Sequence, residues 1–154
     1  MKLHHPFKVS LLHYSVPNWS SYKPILLENL PPYERGGDTV STDYVDKSKS
    51  KYFDLFDEFI EPVLIQFKRD VGHAAYIRNV WAQRARKGDH HCPHNHGSNG
   101  WAAVLYADYN PDIHSATTFI SPFTEFSSGD HMDFTPDVKE GDIIFFPSAL
   151  AHSS

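Results

Sequence analysis

Eleven histidines stand among the 154 residues of this chain, and two of them sit at i and i+2 in Pro93-His94-Asn95-His96-Gly97. On an extended backbone alternate side chains face the same way, so His94 and His96 project together while Asn95 turns away. The proline before them and the glycine after them read as a strand end, where side chains stand clear of a packed sheet. A third imidazole, His152, follows Ile143-Ile144-Phe145-Phe146-Pro147, a run that reads as a buried strand. If that strand lies beside the one holding His94, its end carries His152 to the same point. Imidazole suits iron, zinc, copper and nickel, so ligand type alone leaves the metal open. Three histidines with open positions suit zinc or iron; two histidines and a carboxylate would favour non-haem Fe(II).

The other candidates have plainer readings. His90 and His91 are adjacent, so one of them faces solvent. His4, His5, His13, His73, His114 and His131 lack a partner at ligand spacing. Cys92, the single cysteine, reads as a small buried residue rather than a soft-metal ligand. Asp89 belongs with Gly88 to the turn before the histidines.

The elements that must position these groups fall into two halves. Phe7-Lys8-Val9-Ser10-Leu11 alternates as a first strand. A short helix from a cap at Asn18 or Ser20 carries Ile25, Leu26, Leu27 and Leu30, with Pro24 in its first turn and Pro31-Pro32 as its stop. Residues 33–50 have no sustained period and read as a long loop, a lid or a surface connection. Tyr52, Phe56, Phe59, Ile60, Val63, Leu64 and Phe67 then repeat at three- and four-residue steps. That predicts an amphipathic helix over 52–69, kinked or divided at Pro62, packing on a sheet.

After Gly72 the pattern turns to β. Strands are expected over 75–86, Trp101–Tyr109, Thr117–Ile120, His131–Thr135 and Ile143–Phe146, separated by Gly, Pro, Asn and Asp turns. A polar loop at 122–130 lies between two of them. The fold class is therefore α+β by order and mostly β by architecture: a barrel or jelly roll (residues 73–154) with an N-terminal helical layer (residues 1–72) in one domain.

Hydrophobic residues at 40% and aromatics at 14% describe a globular chain able to bury one core. A net charge of −5 without a basic block argues against a nucleic-acid partner. One cysteine excludes an internal disulfide framework, and no apolar run reaches spanning length, so a reducing cytoplasm is the expected location.

Taken in order, Trp81, Gly88-Asp89, His94-Asn95-His96-Gly97-Ser98, Tyr106, Phe145-Phe146-Pro147-Ser148 and His152 resemble the 2-oxoglutarate/Fe(II)-dependent oxygenases. The likeness is to a prolyl 4-hydroxylase-related branch of bacterial and phage type, and it covers roughly residues 76–152. It implies a cupin-like double-stranded β-helix with iron at one end, His94 as first ligand and His152 as the distal one. His96 stands where most of that superfamily carries Asp or Glu. Tyr106 corresponds to a tyrosine that holds the far carboxylate of 2-oxoglutarate.

The family's usual carboxylate-binding arginine would lie past Ser154. The expectation is a chain lacking its last strand, its open edge covered by a second copy in a homodimer. Arg78, Arg84 and Arg86 are the substitutes for that arginine, Arg84 foremost, because a guanidinium grips a carboxylate with two bonds. The implied reaction consumes O2 and 2-oxoglutarate, releases succinate and CO2, and hydroxylates a small-molecule or peptidyl substrate. Loops 33–50 and 122–130 are the segments expected to close over it. The alternatives are a three-histidine dioxygenase that does not use 2-oxoglutarate and a non-catalytic barrel holding a metal or ligand.

Overall fold

The computed structural model describes residue 2 and residues 8–34, 40–45 and 51–154. In chain order the elements are β1 (Leu12–Ser15), α1 (Trp19–Asn29), β2 (Ser41–Thr42), α2 (Phe53–Val71), β3 (Gln83–Arg84), β4 (Trp101–Leu105), β5 (Thr118–Phe119), β6 (Asp142–Pro147) and β7 (His152–Ser153). The architecture is α+β, and every strand pairing is antiparallel.

β6 is the hub. It lies between β1 and β4, with Phe145 opposite Leu12 on one side and Phe146 opposite Ala102 on the other. Its apolar residues do not alternate with polar ones because both of its faces are covered. Ile143 and Phe145 join the core built with the helices, whereas Ile144 and Phe146 join a second core with Phe119, Tyr106, Val138 and Leu150. Phe67 of α2 stacks on Phe145 at 4.4 Å, and Phe119 of β5 meets Phe146 edge-on at 4.9 Å. The molecule is thus layered as helices, a three-stranded sheet, and a group of short strands carrying β5 and β7. A tight turn through Pro147 and Leu150 steps the chain from the middle layer to the outer one.

The two helices confirm the periodicity and revise the prolines. α2 is one continuous helix, with Asp54 in its first turn, Lys68 and Arg69 in its last, and Gly72 closing it at φ 74°. Phe59, Ile60, Val63 and Phe67 form its buried stripe; each such side chain stabilises the fold by about 1.5–3 kcal/mol. Pro62 does not divide the helix. It sits on the exposed face, where the carbonyl it leaves unbonded faces water. Pro24 likewise lies on the exposed side of α1, beyond rather than within the first turn. Asn18 precedes that helix in a left-handed conformation and makes no side-chain cap.

Other expectations shift. The first strand is Leu12–Ser15 rather than 7–11; Phe7, His4 and His5 lie outside the described residues. Of the 75–86 segment only Gln83–Arg84 forms a strand, paired with β2. Ala75, Ile77, Val80 and Ala82 still pack on the helical core. The buried Asp43 carboxylate takes the Ala82 amide at 2.7 Å, a bond that replaces a ladder partner. Within 33–50 the described part contains β2, and residues 35–39 and 46–50 lie outside the description. Residues 122–130 are an ordered turn: Thr124 bridges His131, and the Glu125 carboxylate accepts from the Ser127 and Ser128 amides. No helix among the described residues is long and apolar enough to cross a membrane.

Asp142, buried at the start of β6, ties that strand to β1. Its carboxylate accepts from Ser15 Oγ at 2.6 Å and the Lys139 amide at 3.0 Å, and pairs with His13 Nε2 at 2.9 Å. Burial by itself would raise this carboxyl, but these hydrogen bonds offset burial and hold it below its ordinary 3.8. A depressed carboxyl stabilises the fold above its unfolded value and loses that contribution as pH falls through the folded one. Urea unfolding should therefore show Asp142→Asn destabilised by about 1–3 kcal/mol at neutral pH. The gap to wild type should narrow below pH 4; an equal gap at pH 3 and pH 7 would contradict this role.

Candidate metal centre

The three histidines meet because two backbones pair. His94 and His152 face each other across an antiparallel bridge, each amide donating to the other's carbonyl at 3.0 Å. Directly opposed residues of this kind bring their side chains onto one face with Cβ atoms about 5 Å apart. His96, two residues on, returns to that face, and its amide donates to the Ser148 carbonyl at 2.8 Å. The partner of His94 is thus the segment beyond the 147–150 turn and not β6 itself, as the sequence had led us to expect. β7 also pairs on its other side with β5, where Phe119 stands opposite His152. His152 is the middle residue of three neighbouring segments and is buried accordingly.

The rings are close. His94 lies 4.3 Å from His152 between centroids and 5.1 Å from His96, and His96 lies 5.0 Å from His152. One nitrogen from each falls within 4.8 Å of the others, and among the described residues this is the group of histidines, cysteines or carboxylates able to share an ion. Metal–imidazole bonds of about 2.0–2.1 Å need the nitrogens somewhat closer together, which small ring rotations provide.

Backbone carbonyls decide which nitrogens are on offer. His94 Nδ1 lies 2.9 Å from the Cys92 carbonyl and His152 Nδ1 lies 3.1 Å from the Leu150 carbonyl. A carbonyl only accepts, so both Nδ1 atoms carry the proton and both Nε2 atoms keep a free lone pair. This is the arrangement that orients metal-binding histidines generally. Burial keeps two of the rings neutral: it pushes His152 down to about 4 and lowers His96, with the neighbouring imidazoles acting in the same direction. At neutral pH both are uncharged and free to donate.

The walls are aromatic. Phe146 packs on His152 at 4.7 Å, and Trp81 packs on His96 at 5.3 Å with Tyr44 edge-on behind it. Trp81, one of the residues that carry the family resemblance, is therefore a wall of the site. Tyr106 lies in the core shared by Phe119 and Phe146, and its hydroxyl accepts from the Thr117 amide at 3.3 Å. Burial raises its pKa, which keeps the phenol protonated.

Arg84 is elsewhere: its Nη1 donates to the Pro31 carbonyl at 2.8 Å and ties β3 to the end of α1. Arg86 lies over the Tyr33 ring and Arg78 is exposed. The structure thus brings His94, His96 and His152 together and gives none of them a hydrogen bond to Tyr106 or Arg84. Asp89 does belong to its turn, accepting from the Arg86 amide. Cys92 is exposed and enters the site through its carbonyl. The His91 ring, in contrast, packs against His94 at a tilt, with 3.9 Å between centroids.

Residues 79–154 match the sequence profile of a family described as Putative 2OG-Fe(II) oxygenase. A comparison with curated proteins finds no match.

Proposed function

We propose that His94, His96 and His152 hold one Fe(II) through Nε2 for a 2-oxoglutarate-dependent hydroxylation, a reading supported by the likeness of residues 79–154 to the 2OG-Fe(II) oxygenase family. The carrying observation is the pair of Nδ1–carbonyl hydrogen bonds, which leaves His94 and His152 with their Nε2 lone pairs free at a convergent site. The donor set fits iron: three neutral nitrogens on one side leave the other side open for cosubstrate and O2. When bound, Fe(II) and 2-oxoglutarate supply an oxidation in which O2 gives one atom to succinate, as CO2 leaves, and one to a substrate C–H bond.

The chain's own residues do the positioning. The carbonyls of Cys92 and Leu150 hold the imidazole planes, while Phe146, Phe119 and Trp81 keep water from one side. Tyr106 keeps its proton and is the donor we assign to the far carboxylate of 2-oxoglutarate, reached through the core it shares with Phe146. The paired sheets fit one end of a double-stranded β-helix, and a prolyl or other peptidyl side chain is the substrate class favoured by the sequence likeness. The test is anaerobic loading of the full chain with Fe(II), then 2-oxoglutarate and O2. Slow uncoupled succinate formation that requires both Fe(II) and 2-oxoglutarate, and that vanishes in His94→Ala, is expected.

One observation favours a second reading. The clustered donors are all imidazoles, with no carboxylate among them, as in a three-histidine dioxygenase that does not use 2-oxoglutarate. O2 consumption indifferent to 2-oxoglutarate would select it.

A further inference from the structure

A fourth imidazole adjoins the cluster without belonging to it. The His91 ring lies 3.9 Å from the His94 ring at an interplanar angle of 36°, a tilted contact closer than any between the three convergent histidines. Its own place is fixed from two further directions. The His91 amide donates to the Ser154 carbonyl at 2.6 Å and the Ser154 amide returns the bond at 3.3 Å, so its backbone belongs to the ladder that carries His152. On the other side Gln83 Nε2 lies 2.9 Å from His91 Nδ1, linking the ring to β3.

Among the described residues the His94 ring has one hydrogen bond to orient it, from Nδ1 to the Cys92 carbonyl. That bond sets which edge faces the carbonyl but leaves the ring free to swing about it. A flat neighbour on one face removes that swing. His152 has protein on both sides of its strand and needs no such support.

We propose that His91 is a positioning residue: clamped by Gln83 and the Ser154 ladder, its ring packs on His94 and holds the Nε2 lone pair on the metal. The proposal rests on the reading of His94, His96 and His152 as the metal ligands. It assigns His91 a role through ring packing rather than through coordination.

Co(II) serves as the probe, titrated into the full chain and into His91→Ala, His91→Phe and Gln83→Ala, each first checked for native circular dichroism. Wild type should bind one Co(II). His91→Ala should weaken binding by about tenfold to a hundredfold, the usual effect of losing an outer partner of a ligand. His91→Phe keeps a flat ring without nitrogens and should restore most of the affinity, and Gln83→Ala should fall between them.

Proton NMR of the Co(II) form gives a signature that a merely structural role would not move. The exchangeable Nδ1–H signals of His94 and His152 should both be seen in wild type, and in His91→Ala the His94 signal alone should shift or broaden. Wild-type affinity and an unchanged His94 signal in His91→Ala would overturn the proposal. Equal loss in His91→Phe and His91→Ala would also overturn it, pointing to coordination by His91. Failure of the wild type to bind Co(II) would instead overturn the three-histidine reading, and the proposal with it.

Discussion

His94→Ala or His152→Ala is expected to abolish stoichiometric Fe(II) binding, measured by anaerobic titration of the full chain. Each change removes one of three donors, so affinity should fall beyond the tenfold to hundredfold that loss of an outer partner costs. The two need not be equal in their effect on the fold. His152 is buried among Phe146, Phe119 and His94, and its truncation leaves a cavity. His94 is half-buried and its truncation is mild. His152→Gln, which refills most of the space, separates loss of the ligand from loss of packing.

His96 behaves differently. It has an aromatic wall in Trp81, but among the described residues no carbonyl meets its ring as those of Cys92 and Leu150 meet His94 and His152. His96→Ala should weaken binding less than either of the other two, and His96→Asp should retain it, because a carboxylate is an equally good donor to Fe(II). Full metal content in both His94→Ala and His152→Ala would refute the site.

The second large effect concerns the strand that supports the site. Phe146 is fully buried, meets Phe119 edge-on and packs on His152. Phe146→Ala should cost about 3–5 kcal/mol in urea unfolding, and Fe(II) affinity should fall as His152 loses the ring behind it. Phe145→Ala is the control. Its ring leaves the opposite face of the same strand and stacks on Phe67 of α2. Stability should fall to a similar extent while affinity in the folded protein stays near wild type. Equal loss of affinity in the two variants would show that the site responds to the stability of β6 generally and not to the Phe146 contact.

Much of this was legible in the residues themselves. The stripe from Phe56 to Phe67 announces α2 because one face of a long helix must be apolar to pack. Ile143 to Phe146 announces a central strand because both of its faces are covered. His94, His96 and His152 were readable as a convergent set from the i, i+2 spacing and the buried strand before His152.

What escaped the sequence is what depends on backbone partners. The orientation of a carbonyl is not written in a side-chain type, so the locks from Cys92 and Leu150 could not be foreseen. Nor could the direct pairing of His94 with His152, since the turn at 147–150 that lifts the chain out of β6 is short and apolar. The apolar residues of 75–86 look like a strand but face the helices without a ladder beside them. Arg84 had the right chemistry for a carboxylate, yet its segment pairs with β2 and draws its guanidinium to Pro31. The contact of His91 with His94 follows from the same ladder, and adjacency to His90 gave no hint of which ring would turn inward.

The central claim is that three imidazoles hold one iron through Nε2. The most direct measurement is a crystal structure of the full chain loaded with Fe(II) under anaerobic conditions. The account predicts one iron, bound by Nε2 of His94, His96 and His152, with the Nδ1–carbonyl bonds of His94 and His152 intact. Iron bound elsewhere, or bound through Nδ1 with those carbonyl bonds broken, would contradict it.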